Sequence, residues 1–290
     1  MHSLIKGDIM DKIITLKKHA TDIRIGAVEA VFNAKSGHPG GALSSADILA
    51  CLYFSELNIN PKKPQMPDRD RFVLSKGHSC PGLYSALAYR GYFPVSMLKT
   101  FRHTDSILQG HPDMKHISGV DMSSGSLGQG FSCACGMALA AKLNKLPYRT
   151  YALIGDGESQ EGQIWEAVTF ASHYKLDNLC LIIDNNGLQI DGAVKDVMNI
   201  MPYASKLKAF GWNVIQIDGH NIEEILDAFE KAKATKNKPT AIVAKTIKGK
   251  GVSFMENQAS WHGKAPNEEQ YKLAIAELKE YKKTLEGGNK

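Results

Sequence analysis

Gly155-Asp156-Gly157 and Asn185-Asn186, each closing an apolar run, constrain this chain more than any other feature. Tyr151-Ala-Leu-Ile154 precedes the first and Leu179-Cys-Leu-Ile-Ile183 the second. Between them, Ser159 to Tyr174 carries Ile164, Trp165, Val168 and Phe170 at helical spacing. The order predicts strand, tight turn, helix, strand, with oxygen donors at the ends of both strands. Ligands bind beyond the carboxyl ends of parallel strands. Asp156 offers a carboxylate, Asn186 an amide oxygen, and Gly157 a backbone that a ligand can approach closely. The helix behind them points its positive end at an anion. Hard oxygens beside a helix N-terminus suit a divalent cation, Mg²⁺ first, holding a diphosphate.

Asp-Gly is ordinary turn chemistry, and an Asn pair is equally bland. The ordered set is far more specific. It is the signature of thiamine-diphosphate enzymes, and the chain around it resembles the N-terminal part of transketolase. Ser36-Gly-His-Pro-Gly40, Lys76-Gly-His-Ser79, Gly110-His-Pro112, Gly125-Ser-Leu-Gly-Gln-Gly130 and Trp261-His-Gly263 also follow that family's order. Together the motifs cover roughly residues 10 to 270.

The remaining sequence predicts one α/β domain over 1–290, a doubly wound, mostly parallel sheet with helices on both faces. Helices are expected over Asp11–Ala34, from a Ser44 cap to Leu57, from Pro81, over Gly128–Leu143, Ile222–Ala234 and Asn267–Leu285. Further strands are expected at 71–74, 213–217 and 240–245, with 36–41, 92–126 and 246–266 irregular and 287–290 a frayed tail. Irregular stretches as long as 92–126 are usually functional.

An apolar content of 43% supports a buried core, and no apolar run is long enough for a membrane span. Met1-His-Ser-Leu-Ile-Lys-Gly-Asp lacks a signal core, and five cysteines show no zinc spacing or even framework. Reduced thiols in a cytoplasm are expected. A net charge of +5, without interleaved aromatics on one basic face, argues against nucleic acid.

Five of the ten histidines stand beside a glycine in loops: His38, His78, His111, His220 and His262. A lone loop histidine is commonly a surface residue, but loops at the carboxyl ends of parallel strands converge on one crevice. Imidazoles there can donate to phosphate oxygens and shuttle protons near neutral pH. His2, His19, His103, His116 and His173 lie in unremarkable contexts and are set aside.

The resemblance implies roles. His78 and His262 are expected at the diphosphate or the reacting centre, and His38 and His111 at the donor sugar. Asp156, Asn186 and the Leu188 carbonyl would hold Mg²⁺, Ca²⁺ or Mn²⁺. Leu127 and Ile190 would pack on the coenzyme rings, with Gly125, Ser126, Gly157 and Glu158 close by. His220 is read as structural. Glu161 has two readings, a carboxylate favouring the helix dipole or a subunit-contact glutamate. Ser126 stands where proline is frequent in the family, and Asn185 where aspartate also occurs.

In transketolases the glutamate that activates the coenzyme lies in a second, pyrimidine-binding domain. That domain, and a third, follow the region seen here. The chain is therefore expected to hold half a site and to act with a separate C-terminal transketolase subunit, forming a heterotetramer of two copies of each. The reaction implied is transfer of a two-carbon ketol unit from a ketose phosphate to an aldose, with pentose phosphates the default. Other readings are a subunit of a 2-oxo-acid dehydrogenase or deoxyxylulose-phosphate synthase, or a non-catalytic binding protein. Histidines placed for sugar hydroxyls weigh against the first two, and the intact ligand set against the third.

Overall fold

Leu179 to Ile183 form a strand whose side chains are all buried, so it must lie inside a sheet covered on both faces. The computed structural model describes residues 2–287 and shows that sheet. Helices α1 (His2–Ala34), α2 (Pro39–Ser44) and α3 (Ala46–Cys51) precede β1 (Arg71–Leu74), and α4 (Cys80–Arg90) and α5 (Gln129–Leu143) follow it. Next come β2 (Thr150–Gly155), α6 (Gly162–His173) and β3 (Leu179–Asn185). A hairpin of β4 (Leu188–Gln189) and β5 (Gly192–Ala193) leads to α7 (Val194–Val197) and α8 (Tyr203–Ala209). The chain continues through β6 (Asn213–Asp218), α9 (Ile222–Ala234), β7 (Thr240–Lys245) and α10 (Glu268–Gly287).

Five strands pair in the order β1-β2-β3-β7-β6, all parallel. Alternate side chains face opposite layers, as strand geometry requires. Phe72, Leu74, Tyr151 and Leu153 pack with α1, α3, α4 and α9. Val73, Ala152, Ile154 and Val243 pack with α5, α6 and α8. Each buried Leu or Ile stabilises the fold by about 1.5–3 kcal/mol, so this three-layer core is the main favourable term. The doubly wound architecture is the one expected. Register pairs Gly155 with Asp184 and Asn185 with Lys245, which sets the ends of β2, β3 and β7 level.

Several boundaries differ from expectation. The helix predicted from Asp11 begins at His2. Ser36–Gly41 is not wholly a loop, because α2 starts at Pro39 with proline in the first turn, where its missing N–H costs nothing. Gly40 serves close packing there, since a Cβ would stand 2.9 Å from the Trp261 carbonyl oxygen. Ser44 ends α2 instead of capping a helix, and its hydroxyl donates to Asp184 at 2.6 Å. The helix expected from Ser159 begins at Gly162, after a 3₁₀ turn over Gly157–Gln160. The hairpin, α7 and α8 have no counterpart among the expected elements. The tail beyond Gly287 lies outside the described residues. Among the described residues no helix is long and apolar enough to cross a membrane.

Helix α5 presses its small-residue face, Gly130, Ala134 and Ala138, into the sheet. A Cβ on Gly130 would lie 2.8 Å from the Ser75 Cα at the end of β1. Gly130→Ala is expected to destabilise by about 1 kcal/mol net, overpacking against backbone exceeding the gain in helix propensity. Urea denaturation measures this; a more stable variant would mean that α5 can slide off β1.

Candidate active site

Beyond the carboxyl ends of β1, β2, β3 and β7 lies a cavity of about 480 Å³. Strand ends deliver Gly155, Asp156 and Gly157 from β2, and Asp184 and Asn186 from β3. Loops deliver His38 ahead of α2, Lys76 and His78 after β1, Gly125 and Leu127 before α5, and Lys248 and His262 after β7. Leu188 and Ile190 come from the hairpin. His111, Glu158 and Glu161 complete the expected set on its wall. Ser126 does not line the cavity; it is exposed on the turn leading into α5.

The two expected asparagines divide their work. Asn185 Nδ2 donates to Asp156 Oδ1 at 2.8 Å, while Asn186 lines the cavity and its Oδ1 accepts from the Leu188 N–H at 3.0 Å. Asp156 also accepts from Tyr203 Oη at 2.8 Å and from the Gly187 N–H at 2.5 Å. Burial pushes its carboxyl above the ordinary range, and these three donors only partly offset that. Asp156 is 2% exposed and, among the described residues, forms no ion pair. A desolvated carboxylate without a cation is costly. Beside an amide oxygen and a main-chain carbonyl it matches the hard donor set of Mg²⁺ or Ca²⁺. No cluster of three or more His, Cys, Asp or Glu side chains gathers among the described residues. Any ion held here would therefore rest on this mixed oxygen set.

Three imidazoles form a triangle, with ring centroids 5.1 Å apart for His38–His78, 5.4 Å for His38–His262 and 5.0 Å for His78–His262. Burial, then neighbouring positive groups, lowers them to about 4 for His38, about 2 for His78 and about 3 for His262. Burial also lowers His111. All four are neutral imidazoles near pH 7, able to donate from one nitrogen and accept at the other. The Lys248 amine lies 2.9 Å from His262 Nδ1, and burial draws it down to about 8.

The remaining sequence expectations fall as follows. Glu158 turns its carboxylate inward, accepting from Ser75 Oγ at 2.5 Å and from the Gly128 and Gly155 N–H groups at 3.0 and 3.1 Å. Its acceptors are thus engaged in tying β2 to the start of α5. Glu161 is exposed at the N-cap of α6, with extended backbone and no capping bond. His220 stands apart: Nδ1 meets Asp47 at 2.7 Å and Nε2 accepts from the Ile247 N–H at 2.9 Å. That network, closed by Arg24 on Asp47 at 2.5 Å, holds the loop that carries Lys248.

Lys76, Lys248, Gln160 and Gln189 also line the cavity, beyond what sequence reasoning singles out. Lys76 stands two residues before His78, in a motif where the imidazole is the more conspicuous group. Lys248 sits in a glycine-rich loop after a strand, and that context is the signal the sequence offers.

The chain matches the model of the family described as transketolase, thiamine diphosphate binding domain, over residues 15–283. It is 48% identical over 265 residues to the 6-deoxy-6-sulfo-D-fructose transketolase subunit of Clostridium sp. (strain MSTE9), covering 91% of this chain and 96% of that one. It is 42% identical over 278 residues to an apulose-4-phosphate transketolase subunit of Phocaeicola vulgatus, covering 96% and 99%. Against human transketolase the identity is 46% over 267 residues, which is 42% of that protein. The crystal structure of Campylobacter jejuni transketolase superposes with a TM-score of 0.86 at 38% identity, covering 91% of this chain and 42% of that one. The chain thus spans nearly all of the two subunits and under half of the longer transketolases.

The depressed histidines set a pH dependence. Unfolded, each imidazole binds a proton near pH 6.5; folded, His38, His78 and His262 stay neutral to about 4, 2 and 3. The unfolded chain then holds more protons, so their stabilisation is complete above pH 6.5 and is lost as pH falls. Asp156 and Glu158, raised by burial, act oppositely within the carboxylate range. The slope for His78 is up to about 1.4 kcal/mol per pH unit, and less for the more solvent-screened His38 and His262. Thermal melts from pH 7 to 5 should show falling stability, with a shallower slope in His78→Gln. An unchanged slope in that variant would contradict the buried neutral ring.

Proposed function

The chain belongs to the transketolase family through its thiamine diphosphate binding domain, and on that premise we propose that it is the coenzyme-holding half of a two-subunit transketolase. One observation carries the reading: a single cavity gathers the unpaired Asp156 carboxylate, Asn186, and the loops bearing His38, His78, His111 and His262. Its relatives of matching length are named transketolase subunits, which supports a separate partner chain.

Asp156, Asn186 and the Leu188 carbonyl would hold Mg²⁺ or a similar ion. The Lys248 amine, with the N–H groups of His78 and His262, would bind the diphosphate. Leu127 and Ile190, beside Gly125, would pack on the rings. When bound, thiamine diphosphate supplies a nucleophilic carbon that accepts and returns a two-carbon ketol unit. The chain's own contribution is to orient substrate and manage protons. Neutral His38 and His111 accept from and donate to the ketose hydroxyls, and the half-buried imidazole triangle limits the water that reaches them. Glu161, exposed on the cavity rim, faces the partner subunit. The partner brings the pyrimidine-binding domain and its glutamate, in an assembly of two copies of each chain. The donor is a ketose with an anionic terminus, a class that includes both sugars in the relatives' names, and the acceptor an aldose.

Purified alone, the chain should show negligible ketol transfer, and adding the partner should restore it. Robust turnover by the isolated chain would overturn the split-site reading. In the assembled enzyme, His111→Ala should lower turnover by about 10²-fold or more, the scale of a lost acid–base group, while coenzyme affinity holds. An equal loss of coenzyme affinity would move His111 to the diphosphate.

A further inference from the structure

His38 and His111 each follow a glycine, and two consecutive residues from the irregular stretch after α4 press on those glycines. A Cβ on Gly37 would stand 3.0 Å from the Phe101 ring, and one on Gly110 would stand 2.8 Å from Arg102 Nη2. Phe101 is fully buried. Arg102 adopts the left-handed backbone conformation, with φ at 59°, which a long side chain rarely takes and surrounding structure must enforce. Its N–H donates to the Leu108 carbonyl at 2.8 Å, and its Nη1 donates to Ser36 Oγ at 2.9 Å. One guanidinium thus touches both histidine loops, with its buried Nε finding no partner among the described residues. From the other side, Tyr84 Oη bridges the carbonyl oxygens of Gln109 and His111 at 2.9 and 2.8 Å. Neither Phe101 nor Arg102 lines the cavity.

We propose that Phe101 and Arg102 form a spacer wedged between the 36–38 and 108–111 loops, setting the separation of His38 and His111 and so the fit of the ketose donor. Arg102 is its positioning residue: it reaches substrate only through the two histidines. The planar fork is what allows one face to lie on Gly110 while an edge donates to Ser36, a geometry that lysine cannot reproduce. The same cation, after burial, adds to the lowering of both imidazoles. The inference rests on the ketol-transfer reading above, and its consequence is that donor selectivity is set partly behind the cavity wall.

Arg102→Met, Arg102→Lys and Gly110→Ala test it in the enzyme assembled with its partner. Arg102→Met and Gly110→Ala should each lower kcat/KM for the ketose donor by about 10²-fold, the scale of a misplacement near 1 Å, with thiamine diphosphate affinity unchanged. Arg102→Lys should not rescue. The double variant should be no worse than the worse single, because the added methyl no longer meets a guanidinium. Hydrogen exchange on the full chain, which needs no activity, should speed up in both loops of Arg102→Met. Wild-type kcat/KM in Arg102→Met, additive losses in the double variant, or exchange unchanged in either loop would overturn the spacer. Faster exchange in both loops beside a wild-type assembly that transfers no ketol unit would leave the spacer standing and overturn the functional reading instead.

Discussion

Asp184 is fully buried, and the ends of three strands meet on it. Lys76, after β1, reaches it at 2.5 Å; Ser44, from α2, at 2.6 Å; Thr246, after β7, donates as well. Asn186 Nδ2 lies 3.3 Å away. Burial raises this carboxyl, but the Lys76 charge and the hydroxyl donors outweigh it and hold it below the usual range. Sealing an ion pair in the interior costs several kcal/mol per charge and is tolerated only with such full hydrogen bonding. Removing either partner would leave a bare buried charge, at a cost of about 3–5 kcal/mol. The knot therefore fixes the relative positions of α2, β1, β3 and β7, whose loops deliver most of the cavity lining.

The arrangement leaves an asymmetry at the cavity floor. Two carboxylates sit at adjacent strand ends, and each raises the other's cost of ionising. Asp184 has an internal cation in Lys76, whereas Asp156 has only neutral donors. Asp156 is thus oriented and desolvated, with no direct ion pair among the described residues and only the longer-range attraction of the Lys248 amine in the same cavity. That is the condition under which an external divalent ion is bound strongly and an anionic ligand after it.

The sheet was legible because its information is local. Strands at 71–74 and 240–245 and the helix Ile222–Ala234 carry clean patterns and clear stops, and they stand where expected. The convergence of His78 and His262 was also readable, since parallel topology brings the loops after β1 and β7 together, whereas His38 and His111 arrive on loops between helices and His220, after β6, stands apart. The features that stayed hidden depend on contacts distant in sequence. A helix starting at Pro39 is unreadable without knowing that Gly40 must clear the Trp261 carbonyl. The late start of α6 follows from a 3₁₀ turn at 157–160 that lets Glu158 fold back onto Gly128 and Gly155. No periodicity announces that turn. Lys76 and Lys248 look like ordinary solvated lysines until the fold buries them.

On this account Asp156 and Asn186 grip a divalent ion that tethers a diphosphate to the sheet. Calorimetric titration of thiamine diphosphate into the chain with its partner present tests it most directly, in magnesium and again in excess chelator. Wild type should bind at least about 10²-fold more tightly with magnesium, and Asp156→Ala should lose that difference while keeping its fold, as loss of a metal ligand demands. Equal affinity with and without magnesium in the wild type would contradict the account.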